Sequence, residues 1–149
     1  MEQMDELSFT FFKLFSRMEY ALKAASFNNG DGNANANWTA FAGHIDAAFQ
    51  ALDDSSLKEA IEYILKNPPK KQVIKDGLIN WSSVEPSHQN TTDLLILYIR
   101  RVRNNLFHGG KFNEHWFDPE RSEELISSSI CVLESALPLS QDVQDAYDG

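Results

Sequence analysis

The sequence predicts an all-α fold, an up-and-down bundle of four to five helices that forms a single domain over residues 1–149. Three observations support this prediction. Apolar side chains recur at three- and four-residue steps in five segments. Clusters of glycine, asparagine and proline separate these segments. We find no alternation of apolar and polar residues that would indicate a strand.

The first helix is predicted from Met4 to Phe27, with a stop in the Asn- and Gly-rich residues 28–33. Additional apolar side chains widen its stripe, so we expect this helix to be buried on more than one side. The stripe consists of Leu7, Phe11, Phe15, Met18, Leu22 and Ala25, and the widening residues are Phe9, Phe12 and Leu14.

A second helix is expected over residues 38–52 and a third over residues 57–66. The third helix has Ser56 as its predicted N-cap, with Glu59 completing a capping box. Pro68-Pro69 ends it, because proline cannot continue a helix.

Residues 70–90 show no regular periodicity and are predicted to be a loop with one short helical turn. The fourth helix is predicted from Thr91 or Thr92 to Phe107; its first half is apolar and its second half is basic. Gly109-Gly110 ends this helix. A fifth helix begins at Asp118-Pro119-Glu120, with Asp118 as N-cap. It stops at Pro138, and the acidic tail that follows is expected to fray.

The charge of the chain is unevenly distributed. It has 13 basic and 22 acidic side chains, a net charge of −9, which disfavours a protein that coats nucleic acid. Residues 94–113 nevertheless contain no acid and four basic residues, Arg100, Arg101, Arg103 and Lys111. A local positive site on an acidic body suits transient binding of a short RNA.

The remaining composition predicts the cellular setting. The single cysteine, Cys131, excludes an internal disulfide framework and is interpreted as a buried core residue. No apolar run approaches the roughly 20 residues of a membrane span, and the acidic N-terminus does not resemble a signal peptide. We therefore expect a cytoplasmic protein without membrane contact. The histidines show no ligand spacing typical of a metal site, so neither a metal nor another cofactor is expected.

The pair Arg103 and His108 has the chemistry of metal-free RNA cleavage. This reaction needs a base for the 2′-hydroxyl, an acid for the leaving 5′-oxygen, and positive charge for the phosphorane. Histidine performs either proton transfer near neutral pH, and arginine grips two phosphate oxygens. Five residues on an ideal helix separate the two side chains by roughly 140°, so convergence requires the chain to turn at Gly109-Gly110. Asn104, four residues before His108, shares its face and is placed to orient the imidazole.

A structural explanation of the same residues remains open. Cations in a last helical turn interact favourably with the negative end of the helix, and a histidine before a glycine stop is a common capping residue. The spacing of Arg103 and His108 alone does not separate catalysis from capping.

The segment Arg103–Lys111, with the sequence RNNLFHGGK, resembles the signature of the HEPN family. These are small helical domains, many of which are metal-independent ribonucleases. The segment Phe15–Lys23 also resembles the first helix of stand-alone bacterial HEPN proteins. The resemblance implies a homodimer in which Arg103 and His108 of both chains form one composite site. It further implies products with a 2′,3′-cyclic phosphate and a 5′-hydroxyl.

Further residues have predicted supporting roles. Arg100, Arg101 and Lys111 are predicted to bind RNA. Arg17 and Glu19 lie on the more polar side of the first helix. They are either ion-paired to other helices or line the cleft, with Glu19 holding Arg103 or His108.

Three functions are compatible with these observations. The first is a homodimeric endoribonuclease, in the setting of a toxin or a phage-defence effector, for which an antitoxin would be a further partner. The second is a non-catalytic HEPN-type module for dimerisation or partner binding. The third is an unrelated helical adaptor whose basic turn binds an acidic partner. The intact Arg103 and His108 favour the first, and the acidic net charge favours the others.

Overall fold

The computed structural model describes residues 2–107, 111–112, 115–116 and 119–149, and within these ranges the chain is mostly helical. The described helices are α1 (Glu2–Ala24), α2 (Trp38–Gln50), α3 (Ser55–Lys66), α4 (Thr91–Phe107), α5 (Pro119–Ala136) and α6 (Gln141–Asp148). The described strands are β1 (Lys71–Lys75), β2 (Leu78–Ser82), β3 (Lys111–Phe112) and β4 (His115–Trp116). The expected all-helical character is therefore confirmed in its main part, with short strands added.

The buried apolar side chains of the helices form one cluster. Helix α1 packs against α5 and α6, α2 packs against α4, and α3 packs against α5. The predicted stripes are buried in α1 and α4, as Phe11 and Met18 show in α1 and Leu95 and Ile99 in α4. Burying one such side chain contributes about 1.5–3 kcal/mol, so these stripes fix the arrangement of the helices.

Helix α1 ends earlier than predicted, at Ala24 rather than Phe27. The chain leaves the helix at Ser26, whose φ of 73° lies in the left-handed region. The backbone N–H of Phe27 then donates to the carbonyl oxygen of Leu22 at 2.8 Å, which satisfies one of the last helical carbonyls. The stop therefore lies before the Asn- and Gly-rich residues 28–33 that predicted it.

Helix α3 begins with a different cap from the predicted one. Its N-cap is Asp54, whose carboxylate accepts the backbone N–H of Leu57 at 2.9 Å. The predicted cap, Ser56, lies inside the helix, so the capping box with Glu59 is wrong. A carboxylate two residues earlier satisfies the free N–H groups and also interacts with the positive end of the helix.

The prediction of a loop with one helical turn over residues 70–90 is also wrong. Strands β1 and β2 form an antiparallel hairpin in which Lys71 lies opposite Ser82 and Lys75 opposite Leu78. The connection is Asp76-Gly77, with φ values of 51° and 76°. Positive φ at both central residues defines the tight type I′ turn that suits the twist of a two-stranded ribbon.

The C-terminal tail is ordered as helix α6 instead of fraying. Ser140 is its N-cap, and its hydroxyl oxygen accepts the backbone N–H of Val143 at 3.4 Å. Val143 is fully buried in the core. Pro138 lies in a short 3-10 helix between α5 and α6, so it ends α5 as predicted without ending the helical structure.

Helix α4, which carries the basic segment, has the bounds that were predicted, and a buried carboxylate anchors its start. Asp93 is only 2% exposed. Its carboxylate accepts the Thr39 hydroxyl of α2 at 2.9 Å and the backbone N–H of Gln89 at 3.0 Å. The amide oxygen of Asn90 in turn accepts the backbone N–H of Asp93 at 2.8 Å, as an N-cap does. These bonds fix the start of α4 relative to α2.

We predict that Asp93→Ala lowers the free energy of unfolding by about 2–3 kcal/mol, because Thr39 and the N–H of Gln89 would lose a charged acceptor in a buried position. The matched control is Asp142→Ala, an exposed acid in the first turn of α6. This control should cost at most about 1 kcal/mol through the helix dipole. Urea unfolding of both variants measures the difference, and equal losses would contradict the anchoring role of Asp93.

Candidate functional site

The C-terminal half of α4 presents its arginines to different surroundings. Successive residues of a helix are rotated by about 100°, so Arg100, Arg101 and Arg103 cannot share one face. Arg100 is exposed, whereas Arg101 and Arg103 are half-buried. Each arginine therefore has its own role.

The guanidinium of Arg103 is held by aromatic rings and an amide. It lies 4.9 Å from the ring centroid of Phe107 and 5.9 Å from that of Phe15. One terminal nitrogen, Nη1, donates to the side-chain oxygen of Asn104 at 3.1 Å. The buried Nε has no hydrogen-bond acceptor, and among the described residues no carboxylate pairs with Arg103. The second terminal nitrogen, Nη2, is consequently left for an external acceptor.

The guanidinium of Arg101 points to the hairpin instead. Its Nη2 donates to the carbonyl oxygen of Val84 at 2.9 Å, and its Nη1 to that of Pro69 at 3.5 Å. These two carbonyls lie just after β2 and just before β1. Arg101 therefore joins both ends of the hairpin to α4. The sequence predicted that Arg101 binds RNA, and from these bonds we assign it a positioning role within the site.

Two further side chains attach the segment before the hairpin. The amide nitrogen of Asn105 donates to the carbonyl oxygen of Lys70 at 2.8 Å. Nη2 of Arg121, at the start of α5, donates to the carbonyl oxygen of Pro68 at 2.7 Å. Sequence reasoning did not identify Asn105 or Arg121, because no local pattern relates them to residues 68–70.

A groove lies between β1 and α4, on the side where Arg100 is exposed. Its cavity volume is about 430 Å³. Basic and amide side chains dominate the described part of the walls, in which no carboxylate is found. The lining residues are Lys71, Gln72, Pro86, Leu97, Arg100, Arg101, Asn104 and Asn105.

An apolar cleft lies on the other side of Arg103, between α1 and the end of α4. Phe9 is 68% exposed and Phe107 is 59% exposed. Phe12, also exposed, stacks on Phe107 with ring centroids 6.3 Å apart. The expectation that Phe9 and Phe12 extend the buried surface of α1 is therefore wrong. These rings, with Leu106, line a cleft of about 350 Å³ next to Arg103.

The two supporting residues predicted on α1 bond to partners other than Arg103. Arg17 donates from Nη2 to the carbonyl oxygen of Tyr147 at 2.7 Å, and its guanidinium lies 4.3 Å from the centroid of the Tyr147 ring. Arg17 therefore attaches α6 to α1 without an ion pair. The carboxylate of Glu19 accepts the indole N–H of Trp38 at 3.4 Å. In the described structure Glu19 makes no bond to Arg103.

Cys131 does not have the environment of a nucleophile. Cys131 packs against the core from α5, as predicted, but it is half-buried and not buried. Burial raises the pKa of its thiol, and the carboxylates of Asp54 and Glu134 raise it further, while a hydrogen bond with Ser135 acts in the opposite direction. The thiol is therefore protonated near neutral pH.

Side chains that could ligate a metal are dispersed over the described residues. Nowhere in that part of the chain do three or more His, Cys, Asp or Glu side chains come together as a metal site would require. Within the same residues, every helix is too short or too polar to cross a membrane.

Several predicted features fall outside the described part of the chain. His108, the predicted proton carrier, is among them, as are Gly109-Gly110 and the proposed N-cap Asp118. Lys111 lies in β3, but the surroundings of its side chain, and with them its predicted contact with RNA, also lie outside the described part. The geometry of the site therefore concerns Arg100, Arg103 and their neighbours.

We predict that Arg101→Ala lowers the free energy of unfolding by about 1–2 kcal/mol, because two backbone carbonyls lose a charged donor. Arg100→Ala should change it by less than about 0.5 kcal/mol, since Arg100 is exposed and makes no hydrogen bond among the described residues. Thermal unfolding measures both values. Amide hydrogen exchange should accelerate in β1 and β2 of the Arg101 variant only; unchanged exchange there would contradict the positioning role.

The chain was also compared with known proteins. No protein-family model matches its sequence, and neither a curated protein nor a solved structure matches it. The chemistry of the residues described above is therefore the basis for a functional proposal.

Proposed function

We propose that this protein is a metal-independent endoribonuclease with a HEPN-like, up-and-down helical bundle, and that it acts as a homodimer. Arg103 and His108 of both chains form the composite site in this proposal. RNA is the substrate, and the products carry a 2′,3′-cyclic phosphate and a 5′-hydroxyl. A cytoplasmic toxin or defence effector, with an antitoxin as partner, is the setting that we propose.

The environment of Arg103 is the main support for this function. Two aromatic rings and Asn104 orient its guanidinium. Among the described residues it forms no salt bridge, and the described acid that lines the same cleft is Asp5. A cation that is held in place yet not paired is suited to stabilise a developing phosphorane. The planar fork of arginine also fits two phosphate oxygens at once.

The proposed chemistry balances with two histidines. One His108 removes the proton of the 2′-hydroxyl, whose oxygen then attacks phosphorus. The bond from phosphorus to the 5′-oxygen breaks, and the second His108 donates a proton to this leaving oxygen. A single imidazole cannot easily serve both sides of the phosphorus, whereas two copies across a two-fold axis can.

The apolar cleft offers a surface for the second copy. It exposes three aromatic rings beside Arg103, and a contiguous exposed apolar patch commonly marks an interaction site. In a two-fold contact the same patch is buried on both subunits. Covering this cleft would therefore bring the two Arg103 side chains towards one site.

We predict that the purified protein cleaves labelled RNA in excess EDTA and that His108→Ala abolishes this cleavage. Arg103→Lys should reduce the rate by a few-hundredfold, because lysine lacks the planar fork and one such clamp is worth about 3–4 kcal/mol in the transition state. Single-turnover assays measure the rates, with Lys75→Ala as the control for the loss of one exposed positive charge.

Two results would contradict this function. The wild-type protein could leave RNA intact under all conditions in which its thermal unfolding shows it to be folded. Alternatively, Arg103→Lys could cleave as fast as the wild type, which would exclude bidentate gripping of phosphate by this residue.

We also predict that Phe9→Ser and Phe107→Ser weaken the dimer. In light scattering at micromolar concentration, the wild type should have about twice the chain mass of 16.9 kDa, and both variants should shift towards one chain mass. Tyr20→Ser is the matched control, because Tyr20 is 66% exposed on the same helix as Phe9 but outside the cleft. A monomeric wild type, or equal dissociation of the Tyr20 variant, would rule out this interface.

A non-catalytic module for dimerisation or partner binding is the second candidate, and the exposed apolar cleft favours it equally. The two functions differ in their response to His108→Ala. A catalytic protein loses RNA cleavage in this variant, whereas a binding module has no cleavage to lose.

A further inference from the structure

The groove between β1 and α4 places unpaired positive charge on both of its walls. Lys71 stands on the hairpin wall and Arg100 on the helix wall, and both are exposed. Within the described part of the chain, neither of these two side chains forms a salt bridge or a hydrogen bond. None of the described residues that line the groove carries a carboxylate, so an anion entering it meets no like charge on that lining.

The remaining lining offers neutral hydrogen-bonding groups and a small apolar surface. Gln72 and Asn104 contribute amide groups, and Leu97 and Pro86 contribute apolar contacts. Asn104 accepts a bond from Arg103 with its oxygen, which leaves its NH₂ group available. A ligand of this groove should therefore combine negative charge, several acceptors and a flat or apolar part.

The walls are held in place by the bonds that attach the hairpin to α4. Arg101 fixes both ends of the hairpin, and Asn105 fixes the carbonyl of Lys70, the residue just before Lys71. An isolated two-stranded hairpin is only marginally stable, so these bonds determine where Lys71 stands. These hydrogen bonds therefore determine the position of the two walls of the groove.

We propose that this groove binds single-stranded RNA on its way to Arg103, with Lys71 and Arg100 contacting different phosphates of one strand. This inference rests on the proposed function, and it adds the hairpin as the second wall of the substrate path. Arg100 and Asn104 are four residues apart and share a face of α4, and Asn104 bonds Arg103. Asn104 therefore connects the lining of the groove to the arginine of the proposed site.

The dimensions and chemistry of the groove favour a single strand. A volume of about 430 Å³ is in the range of clefts that hold a small molecule, which matches a short piece of one strand. Unpaired bases can also present their hydrogen-bonding edges to Gln72 and Asn104, as single-stranded RNA does in its complexes.

The test measures binding by the full-length His108→Ala protein, so that cleavage does not interfere. Fluorescence anisotropy with a labelled 12-nucleotide single-stranded RNA gives Kd over a series of salt concentrations. Lys71→Ala and Arg100→Ala should each weaken binding roughly three- to tenfold and reduce the salt slope by about 0.7, the value for one phosphate contact on a single strand.

Lys75→Ala is the matched control, because Lys75 lies on the same strand as Lys71 and is equally exposed but does not line the groove. It should leave Kd and the salt slope close to those of the parent protein. Lys71→Arg should bind RNA as tightly as the parent protein, because it keeps the positive charge. This result would show that the weaker binding of Lys71→Ala comes from the lost charge and not from a change in the hairpin. Thermal unfolding of each variant verifies that the hairpin remains attached.

Three outcomes would overturn the inference. Lys71→Ala could bind as tightly as the parent protein, duplex RNA of the same sequence could bind more tightly than the single strand, or an acidic peptide could bind where RNA does not. A failure of the proposed function is distinguishable. If the wild-type protein does not cleave RNA but RNA binding depends on Lys71 and Arg100, the proposed function fails and the groove remains an RNA-binding site. If the wild-type protein cleaves RNA but binding does not depend on Lys71 and Arg100, only the inference about the groove fails.

Discussion

The attachment of the hairpin to α4 is the constraint on which the geometry of the groove depends. Arg101 donates to carbonyls on both sides of the hairpin, at Pro69 and Val84, which are 15 residues apart in sequence. A two-stranded ribbon has little stability of its own, because it buries little apolar surface. The position of Lys71 relative to Arg100 is therefore set by the guanidinium of Arg101. The hydrogen bond from Asn105 to the carbonyl oxygen of Lys70 is a second attachment. An arginine suits this position because two nitrogens of its rigid fork donate to two different carbonyls.

The same arrangement explains how an acidic protein can offer a positive site. The net charge of −9 describes the whole chain, but charges separated by more than a Debye length of about 8 Å are largely screened at physiological ionic strength. What an approaching phosphate encounters is then the local set of groups, and the lining residues that the structure describes are cations, amides and apolar groups without a carboxylate. In the proposed function, the acidic remainder would limit how much nucleic acid the protein holds, which suits a short substrate that is bound and released.

Helical periodicity predicted the helices well because their stripes face one core. The bounds of α4 and the buried Phe11 and Leu95 follow directly from it. Periodicity did not reveal the hairpin, because its strands expose residues such as Ile74 and Ile79 and no alternation was visible, although Asp76-Gly77 is a strong turn signal. In the site, the sequence identified the arginines as a group. It could not separate their roles, since the partners of Arg101 are brought to it only by the tertiary fold.

The position of Arg103 between the groove and the apolar cleft couples the two surfaces. Its guanidinium stacks on Phe107, which is one of the exposed rings of the cleft, and it bonds Asn104, which lines the groove. In the proposed dimer the cleft is covered, so water is removed from one side of this guanidinium. The lower local dielectric strengthens its attraction for a phosphate. By thermodynamic reciprocity, a phosphate bound at Arg103 must then strengthen the association of the two subunits by the same factor. Arginine is required at this position because a lysine ammonium would neither stack on the ring in this way nor present a planar fork to the phosphate.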